Sequence, residues 1–230
     1  MKPLKEGWWF WPPIVLSRYW LLQGTLHMNW AERCHRWSIE LLFFLCTYFI
    51  ISPYAGYPTA IISSFLIAHT ICAFINGHPF AFFAHDLFWF SLYKDKAGFF
   101  AYIDGIRSRM QKKTPRYICG AVFFGSLVRG IFRDSSDLDI RIISENGFWN
   151  AFWAANWVFL ERARAFVTGF PIDIYMVRSK DELYSKMDVE NEIPVCVYRY
   201  GNKFSQVLPE IKSFDSFKRA FLSDNREHIR

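Results

Sequence analysis

Between Leu41 and His85 the chain carries no Lys, Arg, Asp or Glu, and from Trp37 to Tyr93 the only charged residues are Glu40 and Asp86. So long a stretch without charge cannot form the outer layer of a domain in water; it is either covered by protein, as a pair of core helices, or immersed in lipid. The flanks favour lipid. Lys2, Lys5, Arg18, Arg33 and Arg36 precede the block, and Lys94, Lys96, Arg107, Arg109, Lys112 and Lys113 follow it. An apolar block between basic flanks is a membrane signature. Hydrophobic residues make up 52% of the chain, with 25 Phe and 10 Trp, more than an interior needs, so part of that surface faces something other than water.

Ser52 to Pro58 interrupts the block with two prolines and a glycine, leaving apolar arms at about 38–51 and 59–75. The expectation is a helical hairpin over about 38–75. Each arm is shorter than the roughly 20 residues a full crossing prefers, so two spans and a re-entrant hairpin both remain open. Either form returns both basic flanks to one side, which the positive-inside rule makes cytoplasmic. Residues 79–93 read as an aromatic helix lying in the interface, and Trp8 to Pro13 as an interfacial anchor, with no cleavable signal peptide expected. Residues 1–96 thus form a membrane-associated helical region. The net charge of +6 lies beside the apolar block and not in one dense run, which suits an anionic lipid surface and gives no reason to expect nucleic acid. Five scattered cysteines with no C-x-x-C pair indicate neither a zinc site nor a disulfide framework, and suit a reducing cytosol.

From residue 97 the pattern becomes α+β. A helix is expected over 98–113, ended by Pro115, then a strand Tyr117–Phe124, a Gly125-Ser126 turn and a short helix. A strand over Asp137–Ser144, a helix over Phe148–Phe166, and strands over Pro171–Val177 and Ile193–Tyr200 follow. Residues 204–230 are a C-terminal helix or tail. Asp137 and Asp139 stand two apart on their strand and share a face. Asp173 joins them if its strand lies alongside. Carboxylates grouped in this way are the hard oxygen donors that divalent metals prefer, and acids seldom occupy apolar strands without a partner or a task.

The run Phe124-Gly125-Ser126-Leu127-Val128-Arg129-Gly130, followed by Ser136-Asp137-Leu138-Asp139-Ile140, resembles the nucleotidyltransferase family of the DNA polymerase beta superfamily, its minimal branch in particular. The resemblance covers about residues 97–203 and implies a nucleotidyltransferase-like mixed sheet flanked by helices. It also implies an enzyme that binds a nucleoside triphosphate such as ATP through Gly125, Ser126, Arg129 and Ser136, with the Gly-Ser turn at a helix N-terminus. Two Mg2+ ions, or Mn2+ in their place, would be held by Asp137, Asp139 and Asp173, and Asp173 would help deprotonate the acceptor hydroxyl. Arg129 is equally suited to pairing with Asp134.

The combined expectation is a membrane-anchored nucleotidyltransferase acting on a lipid-linked or glycan acceptor at the cytoplasmic face, as a single copy or an oligomer. Alternatives are transfer onto a protein, as in antitoxin-like members of the branch, and a membrane scaffold that has lost catalysis. His69, Asn76, His78, His85 and Asp86 cluster at the end of the apolar block and are candidates for a headgroup or metal site, or for ordinary interfacial polar contacts. Trp149, Trp153 and Trp157, at helical spacing, read as core or membrane-facing packing.

Overall fold

The structure, a computed structural model, describes residues 12–22, 25–77, 80, 95–112, 116–133, 136–187, 192–208 and 210–223. Most of the aromatic anchor around Trp8 and nearly all of the interfacial helix expected over 79–93 lie outside these residues, as do His78, His85, Asp86 and Asp134.

Three helices come first: α1 (Pro12–Leu22), α2 (Trp30–Ile51) and α3 (Tyr57–Asn76). The hairpin is present, but its arms are longer than the apolar count allows, at 22 and 20 residues. Helix α2 starts at Trp30 because Asn29 caps it, Oδ1 accepting from the Glu32 N–H at 3.1 Å. The charges of its first turns do not break it because they are paired: Arg36 meets Glu40 at 3.1 Å and Glu32 meets Arg162 at 2.7 Å. At ~1.5 Å per residue each arm is ~30 Å long, the thickness of a hydrocarbon core. Both helices are long and apolar enough to cross a membrane.

Ala60, Ser64, Ala68 and Cys72, four residues apart, form the buried stripe of α3, and such small side chains let neighbouring backbones approach closely. The outward faces are apolar too: Leu41, Leu42, Phe49 and Ile50 on α2 and Ile62, Phe65 and Leu66 on α3 are exposed. Only 11% of the apolar stretch of α2 and 33% of that of α3 is buried. A soluble protein's core helix would be mostly covered, so the structure speaks against the core-helix alternative.

The α+β part holds one five-stranded mixed sheet: β1 (Ile118–Phe124), β2 (Leu138–Ser144), β3 (Ile172–Val177), β4 (Val195–Arg199) and β5 (Lys212–Ser213), in the order β3-β2-β1-β4-β5. β1 runs antiparallel to β2 and β4, while β2–β3 and β4–β5 are parallel. α4 (Lys96–Lys112), α5 (Phe148–Thr168) and α8 (Phe214–Ser223) cover one face through Phe99, Phe100, Ile103, Val158 and Phe221, which meet Phe123, Ile140, Ile142 and Ile174. The short helices α6 (Lys180–Tyr184) and α7 (Lys203–Val207) cover part of the other, around Val122, Phe124, Ile143, Val177, Leu183 and Phe204. Strand alternation sends Leu138, Ile140, Ile172 and Ile174 to the thick helical layer and Asp139, Arg141, Asp173 and Tyr175 to the thinly covered face. The fold thereby collects its acids where solvent and a ligand can reach them.

Candidate active site

The parallel register of β2 and β3 sets Asp139 directly opposite Asp173 and Arg141 opposite Tyr175. The two carboxylates, distant in sequence, thus become cross-strand neighbours on one face. β1 supplies the third side of the site. Phe124 pairs with Asp139, which brings the next residue, Gly125, against that carboxylate. A Cβ on Gly125 would lie 2.4 Å from Asp139 Oδ2, and its φ of +89° is one that other residues rarely adopt. Glycine is required here twice, for the turn and for the space it leaves beside the acid. Asp137 sits just before β2, close enough for its charge to act on Asp139.

Three acids crowded on a sheet need compensation. Desolvation first, then the charges of Asp137 and Asp173, push the Asp139 carboxyl up to about 8, against the opposing pull of Arg141. Its side chain is still 26% exposed, so water and ions can reach it. Arg141 is buried; its Nη2 lies 3.1 Å from Asp173 Oδ2 and 4.0 Å from Asp139 Oδ1, and its Nη1 donates to Asp173 O at 3.1 Å. Burial works against the Arg141 charge, but Asp173 and Asp139 more than offset it and hold its pKa above the ordinary value. Tyr175, stacked beneath the Arg141 guanidinium, is pushed up by burial and then by Asp173, so it stays a neutral phenol.

The Gly-Ser turn departs from expectation. No helix follows it: residues 126–130 form a run of turns closed by Val128 N to Gly125 O (3.1 Å), Gly130 N to Leu127 O (2.9 Å) and Ile131 N to Ser126 O (2.9 Å). Positive φ at both Gly125 and Gly130 bends the chain out of the helical path, so a helix dipole does not point at this turn. The Gly125 N–H donates to Glu192 Oε2 at 2.9 Å, and Arg129 is ion-paired to the same carboxylate. Glu192, buried just before β4, was not singled out from the sequence; the signal available was an acid that opens an apolar run, Glu192-Ile193-Pro194-Val195. Ser136 is buried and its Oγ accepts from the Arg133 N–H at 2.8 Å, closing the loop that delivers Asp137. Ser126 lies partly exposed on the turn.

Carboxylate oxygens suit Mg2+ or Mn2+, and the missing side chain of Gly125 is what lets the Asp139 carboxylate lie against the backbone of the turn. Among the described residues, however, no three His, Cys, Asp or Glu side chains converge into a ready cage. Of the three carboxylates, Asp173 is already engaged by Arg141. Comparison with protein-family models, with characterised proteins and with solved structures gives no match.

Of the polar residues at the end of the apolar block, the two that are described, His69 and Asn76, have different partners. His69 bonds Glu40 at 2.7 Å and the Trp20 carbonyl at 3.0 Å, whereas Asn76 accepts from Arg162 at 3.2 Å. Trp157 is buried; Trp149 and Trp153 are exposed on the outer side of α5.

Proposed function

We propose that the chain is a membrane-anchored, metal-dependent nucleotidyltransferase of the polymerase-beta kind, transferring a nucleoside monophosphate from a triphosphate to a hydroxyl. The observation that supports it best is the β2–β3 register, which sets Asp173 opposite Asp139, with Gly125 pressed against the latter. Acids this close are unfavourable when all are ionised, a repulsion that a divalent cation would relieve, and the adjoining Gly125-Ser126 turn offers backbone donors suited to phosphate oxygens.

In this reading Asp137 and Asp139 would hold the divalent metal, and Gly125 and Ser126 would grip the β- and γ-phosphates once Glu192 gives up the Gly125 amide. A divalent metal held by these carboxylates would supply positive charge to the α-phosphate and the departing pyrophosphate. Asp173, held by Arg141 at 3.1 Å, takes the proton of the acceptor hydroxyl. The acceptor oxygen forms a bond to the α-phosphorus while the bond to the β-phosphate oxygen breaks, and pyrophosphate leaves with that electron pair. The exposed apolar hairpin supports lipid anchorage with both basic flanks in the cytoplasm, and hence a lipid-linked or glycan acceptor.

The test is incubation of detergent-purified protein and native lipid extract with each labelled triphosphate and Mg2+, beside Asp137→Ala/Asp139→Ala. Label in lipid is expected, and it disappears in the double variant. Label in protein selects protein nucleotidylation; no label and no triphosphate binding leaves the inactive scaffold.

A further inference from the structure

We propose that the outer edge of α5 is a second membrane contact: Trp149, Trp153, Leu160 and Val167 rest in the headgroup boundary of the leaflet from which the hairpin rises. This rests on the reading of the hairpin as immersed in lipid and not on the chemistry of the acids.

Helix α5 lies across the root of the hairpin. Its first half meets α2, where His35 Nε2 pairs with Asn156 Oδ1 at 3.2 Å and the His35 ring packs against Phe152 at 5.1 Å and Phe159 at 5.9 Å. Its second half meets α3, where Arg162 Nη1 donates to Asn76 Oδ1 at 3.2 Å and Phe166 lies 5.8 Å from Phe74. A helix that touches two neighbouring arms with successive parts of its length runs crosswise to both. With the arms upright in a bilayer, α5 therefore lies close to the membrane plane.

The same contacts fix which way its open side looks. Arg162 holds Glu32, near the start of α2, at 2.7 Å, whereas Asn156 holds His35, which is nearer the tip. Passing round α5 from Arg162 to Asn156, a turn of about 120°, thus moves toward the tip, and roughly 40° farther on stand Trp149, Trp153, Leu160 and Val167. All four are exposed, Val167 at 83% and Trp149 at 70%. Ala151, Val158 and Ala165, about 180° away, are buried against the sheet. The stripe looks toward the tip, and the sheet hangs on the other side.

Lipid is the cover that fits this stripe. The exposed apolar faces of α2 and α3 open into the same space, so the stripe continues the surface that the hairpin offers to a bilayer. Tryptophan marks the boundary. Trp30 and Trp37 on α2, both exposed and 5.6 Å apart, bracket Glu32 and His35, which brings four indoles to one level. Charge agrees: buried Glu161 pairs with Arg109 at 2.7 Å and with Arg164 at 2.5 Å, leaving one positive charge over beside the stripe for an anionic headgroup.

Depth-dependent quenching tests the contact. The full chain, freed of its five cysteines, is reconstituted in vesicles of phosphatidylcholine and phosphatidylglycerol, with an environment-sensitive fluorophore on single cysteines. Labels at Trp153→Cys and Val167→Cys are expected to emit as in a water-poor setting and to lose more emission to a nitroxide near the headgroup than to one at the acyl terminus. Leu42→Cys, halfway along α2, shows the reverse order, and Lys212→Cys on β5 is quenched by neither. Emission from Trp153→Cys and Val167→Cys like that of Lys212→Cys overturns the inference, with quenching of Leu42→Cys keeping the hairpin in lipid. A water-poor emission that neither nitroxide quenches also overturns it, since the cover is then a second copy or another part of the chain. An unquenched Leu42→Cys overturns the hairpin reading and the inference together. If the cysteine-free chain does not fold, Trp149→Phe/Trp153→Phe in the native sequence decides: the tryptophan emission quenched by lipid brominated near the headgroup falls below that of wild type, and an unchanged amplitude overturns the inference.

Discussion

Glu192 holds the Gly125 amide and the Arg129 side chain, the two groups to which the proposed function assigns a triphosphate. A carboxylate in that position competes with phosphate for one backbone donor and one cation. Glu192→Gln preserves an oxygen that accepts from the Gly125 N–H but removes the charge. Triphosphate affinity, measured by calorimetry, is expected to rise about tenfold, equal to ~1.4 kcal/mol; a purely structural Glu192 predicts no change. The acid cluster also carries a pH signature. Asp139 keeps its proton up to about 8 when folded but releases it near 3.8 when unfolded, so the folded state binds more protons across that window. The stabilisation is complete below the unfolded value and is lost as pH rises through 8. With chelator present, the melting temperature of Asp139→Asn should exceed that of wild type by an amount that grows from pH 5 to pH 8, reaching several degrees. A constant difference would show that Asp139 titrates normally. Asp137, Asp139 and the Gly125 turn were legible in the sequence because their spacing is local. Arg141 was legible only as alternation with isoleucine, and its partner Asp173 comes from another strand, so the ion pair depends on a register that sequence spacing does not encode.

At the scale of elements, the base of the hairpin is bound to the strand that carries the third acid. β3 is an edge strand, and its outward carbonyls are taken by side chains from elsewhere: Asn29 Nδ2 donates to Met176 O at 3.1 Å and Arg162 Nε to Ile174 O at 3.1 Å. Covering an edge in this way prevents it from pairing with another chain. Arg162 also meets Glu32 of α2 at 2.7 Å and Asn76 of α3 at 3.2 Å, so one buried arginine joins both arms of the hairpin, α5 and the sheet. Both ion-pair side chains are 2% exposed. Removing one partner strands a buried charge, at ~3–5 kcal/mol. Arg162→Ala is therefore expected to lower stability by that order in thermal or denaturant unfolding, with amide exchange accelerating first in β3, whereas Arg162→Ala/Glu32→Ala recovers part of the loss. Equal losses in single and double variants would mean that the pair is not coupled. The same junction explains why counting apolar residues started α2 at Ser38 and not at Trp30: Glu32, Arg33 and Arg36 look like solvent-facing charges in sequence, and only the docked domain supplies the partner that lets Glu32 enter a buried helix turn. The short helix expected after Ser126 failed for the opposite reason, a local one, since two glycines at positive φ favour successive turns.

For the molecule as a whole, the question is what covers the hairpin. Phe49 and Ile50 are 70% and 66% exposed at the far end of α2, and Tyr54 in the connecting turn is 89% exposed, while Glu32 and Arg36 lie at the base and Glu40, at the midpoint of α2, is paired with Arg36 and His69. Polarity therefore grades along the hairpin axis, from a bare apolar tip to a polar root seated on the sheet. A hairpin packed inside a larger protein complex has no need of such a gradient, but one entering a bilayer does, because unpaired polarity at its centre is costly. Arms of 22 and 20 residues match the ~30 Å core when upright. The tip should then emerge on the side opposite the five-stranded sheet. In a variant lacking the five native cysteines, a membrane-impermeant maleimide added to sealed vesicles is expected to label Tyr54→Cys from one side only and Lys212→Cys, on the exposed strand β5, from the other. Labelling of both from the same side would establish a re-entrant hairpin, and labelling of Tyr54→Cys in protein that remains soluble after detergent removal would rule out lipid as the cover.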